Sequence, residues 1–104
     1  MTAIRVCARA DVPAGEARRY AVGDLEVAVV NLGEGGLRAL DAVCSHARSF
    51  LDEGEVDAQA GTIECPKHGS TFDLETGAPR SLPATTPVAV YPVIIDGDDI
   101  LIEV

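Results

Sequence analysis

The chain has 104 residues, 8 of them basic and 17 acidic, and its formal net charge is −9. This length corresponds to a single domain over residues 1–104. The negative charge disfavours nucleic acid and anionic membrane surfaces as partners, because both require a positive patch. The sequence shows no apolar signal segment and no run of the ~20 apolar residues that a membrane span needs. Three cysteines exclude a complete set of disulfides, so we expect a cytoplasmic protein with reduced thiols or thiolates.

Short strand patterns dominate both ends of the chain. Apolar runs bounded by turn residues predict strands at Ile4–Ala8, Leu25–Val30, Leu37–Asp41, Thr62–Glu64, Thr71–Leu74, Val88–Ile95 and Ile100–Val104. The Asp-Gly pair at residues 96–97 predicts a hairpin between the last two runs. Pro92 cannot donate a ladder hydrogen bond, so we expect an edge strand or a bulge there. No segment has a sustained helical period, and Asp11–Arg19 is interrupted by Pro13 and Gly15.

The middle of the chain has a different composition. Residues 42–84 contain both histidines, two of the three cysteines and several glycines and prolines. The sequence therefore predicts a β framework from residues 1–41 and 85–104, with a loop-rich insert at residues 42–84 between its two parts.

The insert carries two pairs of metal-binding side chains. Cys44 and His46 are two residues apart, and after 18 intervening residues Cys65 and His68 follow. Residues two apart in an extended loop point the same way, so Cys44 and His46 can reach one metal group. Cys65 and His68 can do the same from a tight turn. The remaining cysteine, Cys7, lies in an apolar run and is expected to be a small buried side chain.

Two kinds of metal group fit these residues. A single zinc ion accepts two cysteines and two histidines, which leaves open a structural zinc module that mediates protein contacts. A Rieske cluster needs the mixture seen here, since two cysteines hold one iron and two histidines hold the other. A third possibility is core thiols and surface histidines without metal, which the pairing of both histidines with cysteines disfavours.

The two pairs resemble the signature of the Rieske family, Cys-x-His followed by Cys-x₂-His. Further similar segments lie at residues 41–46, 54–56, 72–77 and 87–104. The resemblance implies an all-β fold of stacked antiparallel sheets, sandwich-like or barrel-like, with a small loop-rich cluster-binding subdomain. It also implies one [2Fe–2S] cluster bound by Cys44, His46, Cys65 and His68.

The resemblance assigns further residues to the surroundings of the cluster. Those expected beside it are Pro66, Gly69, Ser70, Phe72 and Pro79. Arg48 and Lys67 flank the ligands in the sequence, and each is either a solvated loop charge or a residue that docks partners. Rieske proteins of cytochrome bc complexes have a disulfide where this chain has Ser49 and Lys67. They also have a tyrosine, which hydrogen-bonds to a cluster sulfur, where this chain has Phe72. We therefore expect a potential near the lower end of the Rieske range, about −150 to +300 mV.

These features predict a soluble one-electron carrier. It would pass electrons from an NAD(P)H-dependent flavoprotein reductase to a terminal non-haem iron oxygenase, such as an aromatic-ring dioxygenase. The chain has no Gly-x-Gly-x-x-Gly motif for a nicotinamide or flavin, so it is not expected to be a complete enzyme. The alternatives are a stand-alone ferredoxin linked to iron–sulfur cluster assembly and a small subunit like that of nitrite reductase.

Overall fold

The computed structural model describes residues 2–45, 49–67, 69–82 and 84–104. In this part of the chain the strands are β1 (Ala3–Ala8), β2 (Ala17–Val22), β3 (Leu25–Asn31), β4 (Leu37–Asp41), β5 (Val56–Asp57), β6 (Thr62–Glu64), β7 (Thr71–Asp73), β8 (Val90–Tyr91), β9 (Val93–Asp96) and β10 (Asp99–Glu103). Three short 3₁₀ helices lie at Arg9–Asp11, Gly33–Gly35 and Leu51–Glu53. Among these described residues, no helix has the length and apolar character needed to cross a membrane.

The strands form three antiparallel sheets, which confirms the predicted all-β class. One sheet has the order β1-β10-β9, the second β2-β3-β4-β8 and the third β5-β6-β7. The first and last strands pair with each other, with Ala3 opposite Glu103. The hairpin predicted around Gly97 joins β9 to β10.

Strand β3 is buried on both of its faces. Its residues Val27 to Val30 are all fully buried, although side chains alternate between the two faces of a strand. Val27 and Val29 face apolar clusters that contain Ile102 and Ile100 of β10. Ala28 and Val30 belong to a different cluster, which includes Cys44 and Cys65. The central strand thus joins the base to the region that contains the candidate site.

The run Val88–Ile95 is not one strand, which corrects the sequence prediction. It divides at Pro92 into β8, which pairs with β4, and β9, which pairs with β10. Proline has no N–H to donate, so it suits the point where the chain passes from one sheet to another. The carbonyl of Pro92 accepts a hydrogen bond from the Glu103 amide at 3.0 Å.

Strand β2 was not predicted. It pairs with β3 from Ala17↔Val30 to Val22↔Leu25. Only Ala17 and Val22 of this strand are buried, and Arg18, Arg19 and Tyr20 give it no clear apolar alternation. Its position is set by pairing with β3, and the local sequence contains little sign of it.

Gly77 brings the turn after β7 against the returning chain. Its φ is +79°, and an added Cβ would lie 2.0 Å from the Val88 carbonyl oxygen. The Val88 amide donates to the Gly77 carbonyl at 2.9 Å, so the two backbones are in direct contact. A side chain at this position cannot be accommodated without moving one of them.

We predict that Gly77→Ala lowers the free energy of unfolding by about 3 kcal/mol, because it combines backbone strain with a collision. Gly61→Ala is the matched control, since Gly61 has a φ of +69° and nothing within 4 Å of an added Cβ. The control should lose only about 1 kcal/mol. Urea unfolding of the two variants measures the difference, and equal losses would contradict the contact with Val88.

Candidate metal centre

The structure places two of the predicted ligands, Cys44 and Cys65, in one apolar cluster. Cys44 follows β4 by three residues, and Cys65 follows β6 directly. Their exposed fractions are 4% and 0%. The same cluster contains Phe72, which is also fully buried. Two soft sulfur donors are therefore held in a common apolar environment with little access to water.

The chain around Cys44 is closed by backbone hydrogen bonds, which we call the first neck. The Cys44 amide donates to the Ser49 carbonyl at 2.9 Å, and the Leu51 amide donates to the Ala42 carbonyl at 2.7 Å. Between these bonds Val43 and Phe50 form an antiparallel bridge. The neck fixes the position of Cys44 relative to the end of β4.

The chain around Cys65 is closed in the same way, which we call the second neck. The Cys65 amide donates to the Ser70 carbonyl at 2.7 Å, and the Gly69 amide donates to the Cys65 carbonyl at 3.0 Å. Gly69 has a φ of +74°, a conformation that glycine adopts readily and other residues rarely adopt. Pro66 and Lys67, which lie between Cys65 and Gly69, are exposed. In both necks the cysteine amide bonds to the carbonyl five residues later.

A third segment, residues 79–86, is attached to both necks. The Ala84 amide donates to the Ser70 hydroxyl oxygen at 3.1 Å inside the core. The Ser45 hydroxyl donates to the Thr86 carbonyl. The third segment therefore links the loop of Cys44 to the loop of Cys65.

The start of the third segment is joined to strand β7. The Arg80 amide donates to the Thr71 carbonyl at 2.7 Å, and the Thr71 amide donates to the Ser81 hydroxyl at 2.9 Å. Pro79 forms a bridge with Phe72. Pro79 is therefore fixed next to a side chain of the cysteine-containing core.

Gly54 permits close contact between the two cysteine loops. An added Cβ at Gly54 would lie 1.6 Å from the Glu64 carbonyl oxygen and 3.2 Å from Pro66. Gly54 follows the first neck, and Glu64 and Pro66 flank Cys65. Gly54 begins one of the segments that resemble the Rieske family, but nothing in the local sequence indicates its contact with Glu64.

His46, Arg48 and His68 lie outside the described residues. The full ligand set and both predicted docking residues, Arg48 and Lys67, stay predictions. Residues not anticipated from the sequence are Ser45, Ala84 and Thr86, which form the links between loops. Ala84 bonds to Ser70, 14 residues earlier, and Ser45 bonds to Thr86, 41 residues later. No local sequence pattern reveals contacts over such separations.

The described donors fit an iron–sulfur cluster. Cysteine thiolates are the ligands that such clusters use, and a Rieske centre takes two of them. Two buried cysteines at equivalent positions of paired loops could supply that half of the ligand set.

Comparisons with known proteins agree with this description. The family model described as the Rieske [2Fe-2S] domain matches residues 2–92. The 3-phenylpropionate/cinnamic acid dioxygenase ferredoxin subunit of Shigella flexneri serotype 5b is 42% identical over 103 residues, which cover 99% of this chain and 94% of the relative.

Two solved structures show similarity in both fold and sequence. The ferredoxin of carbazole 1,9a-dioxygenase from Nocardioides aromaticivorans IC177 is 38% identical with a TM-score of 0.92, covering 98% of this chain and 97% of that one. A chain in a complex of reduced oxygenase and oxidized ferredoxin of carbazole 1,9a-dioxygenase is 35% identical with a TM-score of 0.86, covering 96% and 91%.

The fold and the paired loops define a small all-β metal-binding protein. The chain belongs to the Rieske [2Fe-2S] family, and a [2Fe–2S] cluster of the Rieske type is its cofactor. This family membership disfavours the zinc module considered above.

We predict that Ser70→Ala lowers the free energy of unfolding by about 2 kcal/mol, because it leaves the buried Ala84 amide without its acceptor. Ser81→Ala is the control. It also removes a hydroxyl that accepts from a backbone amide, but at an exposed site where water can replace it. The control should stay within about 0.5 kcal/mol of the native protein in denaturant unfolding. Equal losses of unfolding free energy in the two variants would show that the buried Ser70–Ala84 hydrogen bond stabilises the protein no more than the exposed one.

Proposed function

We propose that this chain is a one-electron carrier of a multicomponent non-haem iron oxygenase system, of the aromatic-ring dioxygenase type. Electrons would reach it from an NAD(P)H-dependent flavoprotein reductase and leave it for a terminal oxygenase. The observation that carries this proposal is the pair of buried cysteines in equivalent necks, joined by the third segment. Relatives of nearly the same length named as dioxygenase ferredoxins support it. We place the carrier in the cytoplasm.

The proposed ligands are Cys44 and Cys65 for one iron, and His46 and His68 for the other. When bound, a Rieske cluster accepts and releases one electron at a time. The two cysteines hold it from the apolar core, while the necks fix their spacing. We further propose that residues 42–84 act as the cluster-binding subdomain of the single domain 1–104, supported by the base of residues 1–41 and 85–104.

Substituting each cysteine in turn tests the ligand set. We predict that Cys44→Ser and Cys65→Ser lose the visible absorption and the Rieske-type EPR signal, because serine does not replace a thiolate in this cluster. Cys7→Ser is the matched control, since Cys7 is also buried, at 3% exposure, but belongs to a different core cluster. The control should keep both signals. A colourless native protein with one zinc per chain would refute the proposed ligation.

A low potential is part of the proposed role. Phe72 is fully buried with both cysteines and has no hydroxyl to donate toward sulfur. Reduction adds negative charge to the cluster, so each missing hydrogen bond to it disfavours the reduced state. The net charge of −9 acts in the same direction. We propose that Ser70, whose oxygen accepts from Ala84, retains its proton for a hydrogen bond to the cluster.

We predict that Phe72→Tyr raises the midpoint potential by about 60 mV, the equivalent of one hydrogen bond that is about 1.5 kcal/mol stronger in the reduced state. Redox titration followed by EPR measures the shift. Phe72→Leu controls for repacking of the core and should not raise the potential. An unchanged potential in Phe72→Tyr would show that the hydroxyl does not reach a sulfur.

The proposed docking face surrounds the two necks. Val43, next to Cys44, is 46% exposed, and Leu82 in the third segment is 78% exposed. Lys67 in the second neck is also exposed, and it precedes the proposed ligand His68 in the sequence. Apolar side chains at the centre of an interface, with charged groups around them, suit a small transient contact. We propose Arg48 as a second docking residue of this face.

We predict that Leu82→Ser raises the apparent KM for the carrier about tenfold, because burying this side chain at an interface is worth about 1.5 kcal/mol. The assay is NADH-driven turnover with the remaining components of the Shigella flexneri 3-phenylpropionate/cinnamic acid dioxygenase. Ile95→Ser removes a comparable exposed side chain, at 44% exposure, from strand β9 and should have little effect. Equal effects would refute a docking face at the necks.

The same assay addresses the two other electron-transfer roles. A carrier for cluster assembly or for a nitrite-reductase-like system has no reason to support turnover of an aromatic-ring dioxygenase. Absence of coupling to dioxygenase components, in a protein with an intact Rieske EPR signal, would therefore favour one of those roles.

A further inference from the structure

Arg19 connects the base of the molecule to the first neck. It lies on β2, and its guanidinium carbon is 3.6 Å from the centroid of the Phe50 ring. This distance is well within the range of a cation–π contact. Its side chain is 31% exposed, so the charge is largely shielded from solvent. Neither the sequence motif nor the proposed ligand set accounts for this contact.

Phe50 is part of the neck itself. It forms the bridge with Val43, and its neighbours Ser49 and Leu51 make the two backbone hydrogen bonds that close the neck. Phe50 therefore contributes its backbone to the closure of the neck and its ring to the contact with Arg19. A side chain that holds the ring in place also holds the neck.

The positive charge of Arg19 is only loosely balanced by nearby carboxylates. Its Nη1 atom is 3.9 Å from Asp52 Oδ1 and 3.9 Å from Glu53 Oε2, beyond hydrogen-bond distance. Arg19 Nη1 and Asp52 Oδ1 are both buried, and neither has a hydrogen-bond partner within the described residues. Burial raises the pKa of Asp52, and Arg19 opposes that rise only in part. The Arg19 charge therefore lies against Phe50, with two carboxylates at ion-pair distance from Nη1 but no hydrogen bond from Nη1 to either of them.

We propose that Arg19 is a positioning residue for the first neck, and that its charge favours the reduced state of the protein. This inference rests on the proposed function, because it takes Cys44 as a ligand. Reduction would add one negative charge to the cluster that Cys44 is proposed to bind. A positive charge that is partly shielded from water stabilises this added charge more than a fully exposed positive charge does. Arg19 thus raises the midpoint potential, whereas the net negative charge of the protein lowers it.

Arg18 provides a matched control one residue away on the same strand. Its guanidinium donates to Glu16 Oε1 at 2.7 Å and to the Ala17 carbonyl at 2.9 Å, and its side chain is 43% exposed. Arg18→Gln and Arg19→Gln produce the same net charge. Only the second removes the charge that contacts Phe50.

The first measurement is the midpoint potential of the purified holoprotein. We expect Arg19→Gln to shift the reduction equilibrium about threefold toward the oxidised form, which is about 30 mV for one electron. Arg18→Gln should shift it much less. Arg19→Lys keeps the charge and should stay close to the native potential.

The second measurement is hydrogen exchange by mass spectrometry of the peptide spanning residues 42–51. Arg19→Gln should accelerate exchange there, and so should Arg19→Lys, because lysine lacks the planar group that stacks on the ring. Arg18→Gln should exchange like the native protein. Phe50→Leu provides a second route if Arg19→Gln fails to fold, and it should also accelerate exchange.

Each outcome decides the inference. Equal potential shifts in Arg18→Gln and Arg19→Gln, or faster exchange with no shift in potential, would overturn it. A native protein that shows the Rieske EPR signal while the Arg19 variants change neither reading would overturn this inference alone. A native protein without that signal would overturn the proposed function instead.

Discussion

The structure depends on one strand that must be covered on both faces. Val27 to Val30 of β3 are fully buried, so apolar side chains from other elements must pack against both faces of this strand. The hairpin of β9 and β10 supplies residues to one cover, and the region around the two cysteines supplies the other. The cysteines are therefore part of the core that stabilises the base. Loss of order around them would expose Ala28 and Val30 to water.

The two necks show how a loop-rich region can hold two proposed metal ligands, Cys44 and Cys65, at fixed positions. In each neck the cysteine amide donates a hydrogen bond to the carbonyl five residues later, and this bond closes the loop. The third segment then joins the two necks through the hydroxyls of Ser45 and Ser70. These hydrogen bonds act together with the buried apolar side chains of Leu51, Ile63 and Phe72 in organising the region.

The sequence was sufficient for the elements whose signal is local. Leu37–Asp41 and Thr62–Glu64 have the bounds that their apolar runs and flanking turn residues predict. Strand β2 was missed because only its two end residues are buried and three polar or aromatic residues lie between them. The division at Pro92 was misjudged because one apolar run serves two sheets. In the candidate site the spacing indicated the two cysteine-containing loops, and their role as ligands stays a prediction. The contacts of Ser45 with Thr86 and of Arg19 with Phe50 join chain segments far apart in the sequence, so no local pattern reveals them.

The pairing of β1 with β10 affects how the molecule forms. Ala3 lies opposite Glu103, so the sheet that contains the first strand is completed only by the last one. Closing so long a loop costs conformational entropy before any of that contact is gained, and folds dominated by such pairings form slowly. The strands of the β2-β3-β4 meander and of the β5-β6-β7 sheet are joined by short connections, so their pairing does not require the last strand. Both cysteines thus lie beside sheets whose strands are close together in the sequence, whereas the sheet on the other face of β3 needs its first and last strands to meet.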